Sequence, residues 1–346
     1  MQTDVQCQQQ KTLGVITLNR PKALNALTHD MIVIIYEQLK KWEKDNTVHA
    51  VVIRSEGDKA FCAGGDVRWL YEHGRHNLSA CMDFFRDEYR LNQYIANYPK
   101  PYIALMQGMT MGGGVGVSLH GNYPIAGEQF QFAMPETTIG FFPDIGSSYL
   151  LGQCPGAIGM YLGLTGQRIT AQDALYCGLI KFIIPADAFP ELLDVLSKLD
   201  LQHDSKKQLD NCLINFSPPK TPASGAIAEN IEKINTYFSV THLDETLLKL
   251  RANSQDPWAQ SVLQTLLQKS PLSLFVTFSQ LQRTKSLSLV ECLDIDYTLV
   301  KNFMRGHDFY EGVRALLIDK DNSPQWTPAN LAEVNKQMVD DYFKRQ

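Results

Sequence analysis

The pattern of hydrophobic and polar positions alternates between short apolar runs and amphipathic stretches. The run LGVITL at residues 13–18 predicts a buried strand. Thr28 precedes apolar residues at helical spacing, which predicts a capped helix. Further strands are predicted at 50–53, 102–106 and 181–184, and further helices at 66–70, 78–97, 112–120, 155–164, 171–177 and 190–199. This order of strand, turn and helix predicts an α/β architecture with ligands at strand ends.

After residue 155 the pattern becomes mostly helical. With 346 residues the chain exceeds the usual size of one domain. Residues 201–222 are polar and rich in lysine and contain Pro218 and Pro219, which favours a linker. We therefore predict an α/β core at 1–200, a linker at 201–222, and a helical C-terminal region at 223–346 that packs on the core.

Composition and net charge limit the classes of binding partner that are expected. The hydrophobic fraction of 44% allows a substantial core, and the net charge of -5 gives no electrostatic case for nucleic acid or an anionic membrane. Apolar runs are too short to span a bilayer. The first ten residues show neither a secretory signal nor a transit peptide, and the seven scattered cysteines suit a reducing compartment. We expect a cytoplasmic protein without a metal site.

Two glycine-rich turns are candidates for binding an anion. FCAGGD at 61–66 and GGGVG at 112–116 each follow a predicted strand and open a predicted helix, where backbone N–H groups can face an anion. Neither has the GxGxxG spacing of a dinucleotide site. Either turn alone is about as well explained by close packing of a helix on a sheet. Cys62, within the first turn, is better explained as a buried filler than as a reactive thiol.

A loop with two acids follows these turns. Residues 131–148 contain Glu136 and Asp144 among apolar and turn residues that would leave a carboxylate little water. A carboxylate in such a place can serve as a base or a nucleophile. Both acids are also compatible with an ordinary surface loop, and Asp144 with a helix cap near Ser147. Two glycine turns before such a loop favour a pair of donors that face one oxygen.

Six sequence blocks together resemble the crotonase (enoyl-CoA hydratase/isomerase) superfamily. The first three are FCAGGD at 61–66, MGGG at 111–114 and AMPE at 133–136. Three others are similar to the members that hydrolyse short-chain hydroxyacyl-CoA thioesters, namely FFRDEY at 84–89, GFFPDIG at 140–146 and MRGHDFYEGVRA at 304–315. The resemblance extends over residues 13–332, weakest at 204–250. It implies a core of ββα units in the ClpP/crotonase spiral, with 3-hydroxyisobutyryl-CoA of valine breakdown as the expected substrate.

The resemblance also implies which backbone groups bind the substrate. The N–H groups of Gly65 and Gly113 would hold the thioester oxygen, which gains negative charge in the transition state. The carbonyl of Ala63 would meet the adenine amino group of coenzyme A. Coenzyme A is then part of the substrate, and no cofactor is expected.

Position 116 distinguishes members of this superfamily. Similar enoyl-CoA hydratases have a glutamate there that works with the acid at 136, whereas this chain has Gly116. The hydrolase resemblance instead implies that Glu136 attacks the thioester carbonyl or activates a water. Asp144 would orient the substrate hydroxyl and assist protonation of the thiolate, and Glu88 would line the acyl pocket. On residue type alone, Glu88 is more often a solvated or helix-pairing acid than a ligand.

The sequence leaves two alternative functions open. One is hydration or isomerisation of an enoyl-CoA, against which Gly116 counts, and the other is binding of acyl-CoA without catalysis. Superfamily members form trimers and hexamers, so a homo-oligomer is expected, smaller if the C-terminal region covers that surface. His120 and His307 are interpreted as structural. Residues 308–314 are interpreted as packing of the C-terminal helices against the core, with Arg314 paired to Glu311 or to the pocket wall.

Overall fold

Short strands and many helices make up this protein, whose computed structural model describes residues 3–202, 204–218 and 225–345. Within those ranges the strands are β1 Val5–Gln10, β2 Leu13–Leu18, β3 Ala50–Ser55, β4 Ala60–Cys62, β5 Tyr102–Met106, β6 Met109–Met111, β7 Tyr123–Ala126, β8 Gln131–Ala133, β9 Ile169–Thr170 and β10 Phe182–Ile183. The helices are α1 His29–Lys44, α2 Val67–Gly74, α3 Leu78–Ala96, α4 Gly113–Gly116, α5 Ser147–Gly152, α6 Ile158–Thr165, α7 Ala171–Tyr176, α8 Phe189–Leu196, α9 Ser205–Phe216, α10 Ala226–Glu229, α11 Ile231–Phe238, α12 Leu243–Ala252, α13 Pro257–Leu267, α14 Pro271–Arg283, α15 Leu289–Phe303, α16 Asp308–Val313 and α17 Lys336–Tyr342. Among the described helices, none combines the length and the hydropathy of a membrane-spanning segment.

Two sheets carry the α/β part of the fold. The larger has the order β1-β2-β3-β5-β7-β10, and only its edge pair, β1 with β2, is antiparallel. Strands β2 and β5 are buried along their whole length, as expected for parallel strands covered on both faces. The smaller sheet has the order β4-β6-β8-β9, with β4 and β6 parallel. The mixed α/β class predicted from the sequence is confirmed.

By internal packing the chain divides into two compact units, each built from separate stretches. The first unit contains residues 1–65, 87–132 and 169–228, and the second contains residues 66–86, 133–168 and 229–346. A buried cluster around Val52, Ile103 and Ile125 forms a core of the first unit. In the second unit, aromatic rings including those of Phe141, Phe142 and Phe303 pack within 6 Å of one another. The sequential division predicted at 201–222 differs from this interleaved packing.

The segment predicted as a linker is largely a helix in the structure. Helix α9 buries Leu209, Cys212 and Leu213 in the core cluster of the first unit, and their i, i+3, i+4 spacing explains why the helix forms despite its lysines. Residue 203 and residues 219–222 of the predicted linker lie outside the described residues. Whether 1–200 and 223–346 are separate domains stays a prediction.

Several elements match the sequence expectations closely. Helix α1 begins after Thr28, whose hydroxyl accepts from the Met31 amide at 3.2 Å, so the predicted cap is confirmed. The helix predicted at 78–97 is α3, and the strand predicted at 102–106 is β5. The helix predicted at 112–120 is shorter, since only Gly113–Gly116 is helical. Glycine disfavours helix extension, which accounts for the difference.

Candidate functional site

In the first unit, the two glycine turns follow two paired strands. Ala60 of β4 lies opposite Met109 of β6 in parallel register, so both strands end at the same edge of the small sheet. Residues 63–65 leave the first strand there, and residues 112–113 leave the second. The parallel pairing therefore brings the backbone of Gly65 beside that of Gly113.

The glycines at these turns are required by backbone geometry and by space. Gly64 and Gly112 have φ angles of 118° and 45°, which side chains rarely adopt. A Cβ atom on Gly113 would stand 2.4 Å from Oε1 of Glu88 and 3.2 Å from the backbone nitrogen of Gly65. Glu88, which is 2% exposed, thus directs a carboxylate oxygen to the same place as the two predicted donor residues. The structure brings Gly65, Gly113 and Glu88 together, as the resemblance implies.

Backbone and side-chain groups of the preceding loop fix the first turn. The Leu27 amide donates to the Gly64 carbonyl at 2.8 Å, and the Ala63 amide donates to the Leu24 carbonyl at 3.0 Å. The buried Asn25 side chain donates to the Ala60 carbonyl at 3.0 Å. These bonds hold the backbone that carries Ala63 and Gly65 from one side. Such preorganisation is what a binding site for a developing oxyanion needs.

Asn92 fills the space beside Gly116. A Cβ atom on Gly116 would stand 2.7 Å from Oδ1 and 2.8 Å from Nδ2 of Asn92, which is fully buried on α3. With its amide turned by 180°, Asn92 donates to the Gly116 carbonyl at 3.2 Å. Position 116 therefore lacks both a side chain and the room for one. Asn92 was missed by the sequence reasoning, although it follows Glu88 by four residues and shares its helix face.

Cys62 is a buried part of the turn and not a reactive thiol. Its side chain is fully buried, and burial raises the pKa of the thiol to about 12. A Cβ atom on Gly114 would stand 2.4 Å from the Cys62 carbonyl oxygen, so the two turns pack closely here. The prediction that Cys62 is a filler is confirmed.

In the second unit, the loop after β8 carries both predicted acids. Glu136 begins a short 3₁₀ helix, Glu136–Ile139, and Asp144 lies three residues before α5. The side chains are 7% and 6% exposed. The interpretation as an ordinary surface loop is therefore wrong for both acids.

The chain turns sharply between Asp144 and helix α5. Helix α5 begins after Gly146, which has no side chain to cap the helix. The Ser147 amide instead donates to the backbone carbonyl of Asp144 at 2.9 Å. Between them, Ile145 and Gly146 have left-handed φ angles of 56° and 70°. These two left-handed residues reverse the direction of the chain between Asp144 and helix α5.

The C-terminal block at 304–315 packs against the same loop. A Cβ atom on Gly140 would stand 2.2 Å from the Asp308 carbonyl oxygen, and the Ser270 hydroxyl donates to the Asp308 carboxylate at 2.6 Å. Arg314 donates to both oxygens of Glu311, at 2.9 and 2.8 Å. The predicted packing role of this block and its ion pair are confirmed.

Lys269 adds a half-buried basic group beside the 3₁₀ helix that Glu136 begins. Its ammonium donates to the Thr138 hydroxyl at 2.6 Å, within the 3₁₀ helix that Glu136 begins. Burial lowers the pKa of Lys269 to about 8. Across the described residues, no group of three or more His, Cys, Asp or Glu side chains is arranged to hold a metal ion.

Comparison with known proteins agrees with this arrangement. Residues 13–343 match the family described as Enoyl-CoA hydratase/isomerase. The chain is 43% identical over 344 residues to the mitochondrial 3-hydroxyisobutyryl-CoA hydrolase of Gallus gallus, covering 99% of this chain and 89% of that protein. The human enzyme of the same name is 43% identical over 334 residues, covering 96% and 86%.

Solved structures with similar folds carry other names. A carnitinyl-CoA dehydratase from Mycobacterium thermoresistibile superposes with a TM-score of 0.92 at 35% identity, covering 100% of this chain and 97% of that one. An enoyl-CoA hydratase from Rhodobacter sphaeroides superposes with a TM-score of 0.89 at 38% identity, covering 99% and 97%. The chain therefore belongs to the enoyl-CoA hydratase/isomerase family, the crotonase superfamily of the sequence analysis.

Proposed function

We propose that this protein hydrolyses a short-chain hydroxyacyl-CoA thioester, with 3-hydroxyisobutyryl-CoA as the substrate and valine breakdown as the setting. The curated relatives with this name are similar over nearly the full chain. The observation that carries the proposal is Asn92, which occupies the space where similar hydratases have a second glutamate. Two carboxylates that deliver water across a double bond cannot be assembled at positions 116 and 136.

The two glycine turns would supply the groups that bind the thioester. The N–H groups of Gly65 and Gly113 donate to the carbonyl oxygen, and the carbonyl of Ala63 accepts from the adenine amino group. Loss of one oxyanion donor typically costs about 3 to 4 kcal/mol in the transition state. Glu88 lines the acyl pocket beside these donors. Coenzyme A enters as part of the substrate, and the proposal needs no separate cofactor.

Glu136 and Asp144 would carry out the chemistry. In one route a Glu136 oxygen adds to the carbonyl carbon, the C–S bond breaks, the thiolate takes a proton, and water then cleaves the enzyme-bound anhydride. In the other route Glu136 takes a proton from a water that attacks the same carbon. Asp144 orients the substrate hydroxyl and assists proton transfer to the thiolate. Because a thiolate leaves readily, positioning contributes much of the rate.

A second candidate function is hydration of an enoyl-CoA, since one solved structure with a similar fold is named an enoyl-CoA hydratase. The retained acid at Glu136 is compatible with it, and the absence of a side chain at Gly116 counts against it. A third candidate is acyl-CoA binding without turnover. Burial of both acids favours catalysis over that role, because a buried carboxylate is costly to keep without a use.

One set of assays separates the three candidates. The purified protein is given 3-hydroxyisobutyryl-CoA and crotonyl-CoA in turn, with free thiol and enoyl absorbance followed. We expect thiol release from the first and an unchanged chromophore in the second. Loss of the chromophore without thiol release would favour the hydratase, and binding without either would favour the third candidate. In a single turnover in water labelled with a heavy oxygen isotope, label in the Glu136 carboxylate would indicate the anhydride.

The cellular location and the oligomeric state of the protein are separate questions from its activity. The relatives are named mitochondrial, which is evidence against the cytoplasmic location expected from the sequence. We keep a homo-oligomer as a proposal, which sedimentation of the purified protein would test.

A further inference from the structure

Two fully buried polar residues of the second unit are not used by the proposed reaction. Gln280 lies on α14 and Asp296 on α15, and both have an exposed fraction of 0%. Asp296 interrupts a buried stripe of apolar residues on its helix, Leu289, Cys292, Leu293, Leu299, Val300 and Phe303. Burying a carboxyl at such a position costs free energy unless hydrogen bonds to its partners compensate for the loss of hydration. Its partners therefore indicate what it is for.

The side-chain hydrogen bonds of this pair reach the backbone on either side of Asp144. The Gly146 amide donates to Oδ2 of Asp296 at 2.8 Å. The amide nitrogen of Gln280 donates to the Pro143 carbonyl at 2.9 Å and to Oδ1 of Asp296 at 2.8 Å. Side chains of α14 and α15, two helices distant in sequence from this turn, thus bind the backbone of the residues immediately before Asp144 and after Ile145.

The backbone at Ile145 and Gly146 has an unfavourable conformation that must be stabilised by its surroundings. Ile145 is a β-branched residue with a φ of 56°, and Gly146 follows with a φ of 70°. A non-glycine residue in this region costs on the order of 1 to 3 kcal/mol and persists only where its surroundings enforce it. Strain of this kind, next to a buried acid, is a sign of a group that must be held in one orientation.

We propose that Asp296, together with Gln280, is a positioning residue that holds the Pro143–Gly146 turn and so fixes the carboxylate of Asp144 on the hydroxyl of the substrate. This inference rests on the proposed function, in which Asp144 recognises that hydroxyl. Misplacement of a reacting group by about 1 Å can cost a hundredfold in rate, even when the changed residue is remote. The pair thus sets selectivity for hydroxylated acyl groups.

The charge state of Asp296 is compatible with this role. Burial and the neighbouring Asp144 raise its pKa well above the ordinary range, while the hydrogen bonds from Gly146 and Gln280 oppose that rise. A carboxyl that stays protonated can accept these bonds without placing a second negative charge beside Asp144. Cys292, one turn earlier on α15, is the other titratable group that interacts with it, and burial raises the pKa of that thiol to about 11.

The test compares thiol release from 3-hydroxyisobutyryl-CoA and from isobutyryl-CoA, which lacks the hydroxyl. We expect Asp296→Ala and Gln280→Ala to lower kcat for the hydroxylated substrate about ten- to a hundredfold, with KM changed less, and to lower turnover of isobutyryl-CoA by a smaller factor. Isobutyryl-CoA has no hydroxyl to misplace and loses only part of the assisted proton transfer to the thiolate. Asp296→Asn keeps an oxygen for the Gly146 amide, so we expect it to recover part of the selectivity.

Asp173 provides a matched control. It is also a buried aspartate, 3% exposed, and accepts a backbone amide from a distant segment, the Ile227 amide at 2.9 Å. Asp173→Ala should lose stability without changing the ratio between the two substrates. If Asp296→Ala does not fold, Asp296→Asn and Gln280→Ala decide the result.

The outcomes also separate this inference from the proposed function. If Asp144→Ala abolishes the selectivity while folded Asp296 and Gln280 variants retain it, the positioning role is wrong and the function of Asp144 stands. If Asp144→Ala leaves the selectivity unchanged, the proposed function of Asp144 itself is wrong. Loss of selectivity in all these variants, with a normal Asp173→Ala ratio, supports the inference.

Discussion

The two units hold their candidate groups by different means. In the first unit, backbone donors at Gly65 and Gly113 are placed by the pairing of two short strands and by the absence of side chains. In the second unit, two acids lie on a loop with little regular structure, fixed by side chains from helices more than a hundred residues later, such as Gln280. One arrangement depends on space at the backbone, and the other on buried polar contacts.

This difference teaches where each unit is sensitive. Adding a single carbon should damage the first unit, because a glycine Cβ would enter space already occupied. Removing one polar atom should damage the second unit, because a buried acid then loses its function or its support.

The largest effect is expected from Glu136→Gln in the second unit. The amide keeps the size of the side chain but can neither attack a thioester nor take a proton, so kcat should fall at least about a thousandfold. Thiol release under saturating substrate measures this, with circular dichroism to confirm folding. Glu291→Gln is the control, since Glu291 is an exposed helix cap of the same unit and should leave kcat unchanged. More than a tenth of normal activity in Glu136→Gln would refute the assignment.

The next effect is expected from Gly113→Ala in the first unit. Its Cβ would stand 2.4 Å from Oε1 of Glu88 and 3.2 Å from the Gly65 nitrogen, so the donors must shift. Since loss of one oxyanion donor costs about a hundred- to a thousandfold, a fall of that order in kcat is expected. Gly152→Ala is the matched control, because nothing lies within 4 Å of its added Cβ. Equal activity of the two variants would show that the space at Gly113 is not needed.

The same contrast explains how much the sequence could predict. The glycine turns at 61–66 and 112–116, the strand at 13–18 and the cap at Thr28 depend on neighbouring residues, so their signals are local. The three-residue strands β4 and β6 were not predicted as strands, because such short segments have no periodicity to detect. The pairing of β4 with β6, which brings Gly65 beside Gly113, depends on the arrangement of the complete small sheet and not on the local sequence.

The supports of the second unit had weaker signals. Asp296 stands where the helical pattern of α15 expects an apolar residue, and a polar residue in a buried stripe could have been noticed. Nothing local, however, assigns its partner as Gly146, 150 residues earlier. Likewise, the apolar spacing of Leu209, Cys212 and Leu213 was present in the predicted linker but was outweighed by its lysines. Long-range contacts decided both cases.

A smaller effect is expected from filling the space at Gly116 in the first unit. Gly116→Ala should destabilise the protein by about 1 to 3 kcal/mol, because the added Cβ meets the Asn92 amide at 2.7 to 3.0 Å. In an Asn92→Ala background the same change should cost much less, giving a measurable coupling in a double-mutant cycle of urea unfolding. Strictly additive effects would mean that Asn92 does not occupy this space. Gly116→Glu alone should also fail to hydrate crotonyl-CoA.

The smallest effect is a pH-dependent stability from Lys269 in the second unit. Its pKa is lowered to about 8 by burial, whereas in the unfolded chain it is about 10.4. Between these pH values the unfolded state binds more protons, so the penalty for burying Lys269 is full below pH 8 and is relieved as the pH rises to 10.4. Lys269→Met lacks this penalty and should be more stable than the parent at pH 7, by about 1 to 2 kcal/mol after allowance for solvent screening.

The measurement is the difference in melting temperature between Lys269→Met and the parent at pH 7, 8.5 and 10. Loss of the hydrogen bond to the Thr138 hydroxyl shifts that difference by a similar amount at each pH, so its slope with pH isolates the burial of the charge. Exposed Lys285 belongs to the same unit, and Lys285→Met should give a flat difference. If the Lys269→Met difference is equally flat, the lysine is solvated in the folded protein. The second unit would then tolerate charge near its acid loop more readily than the burial of Glu136 and Asp144 indicates.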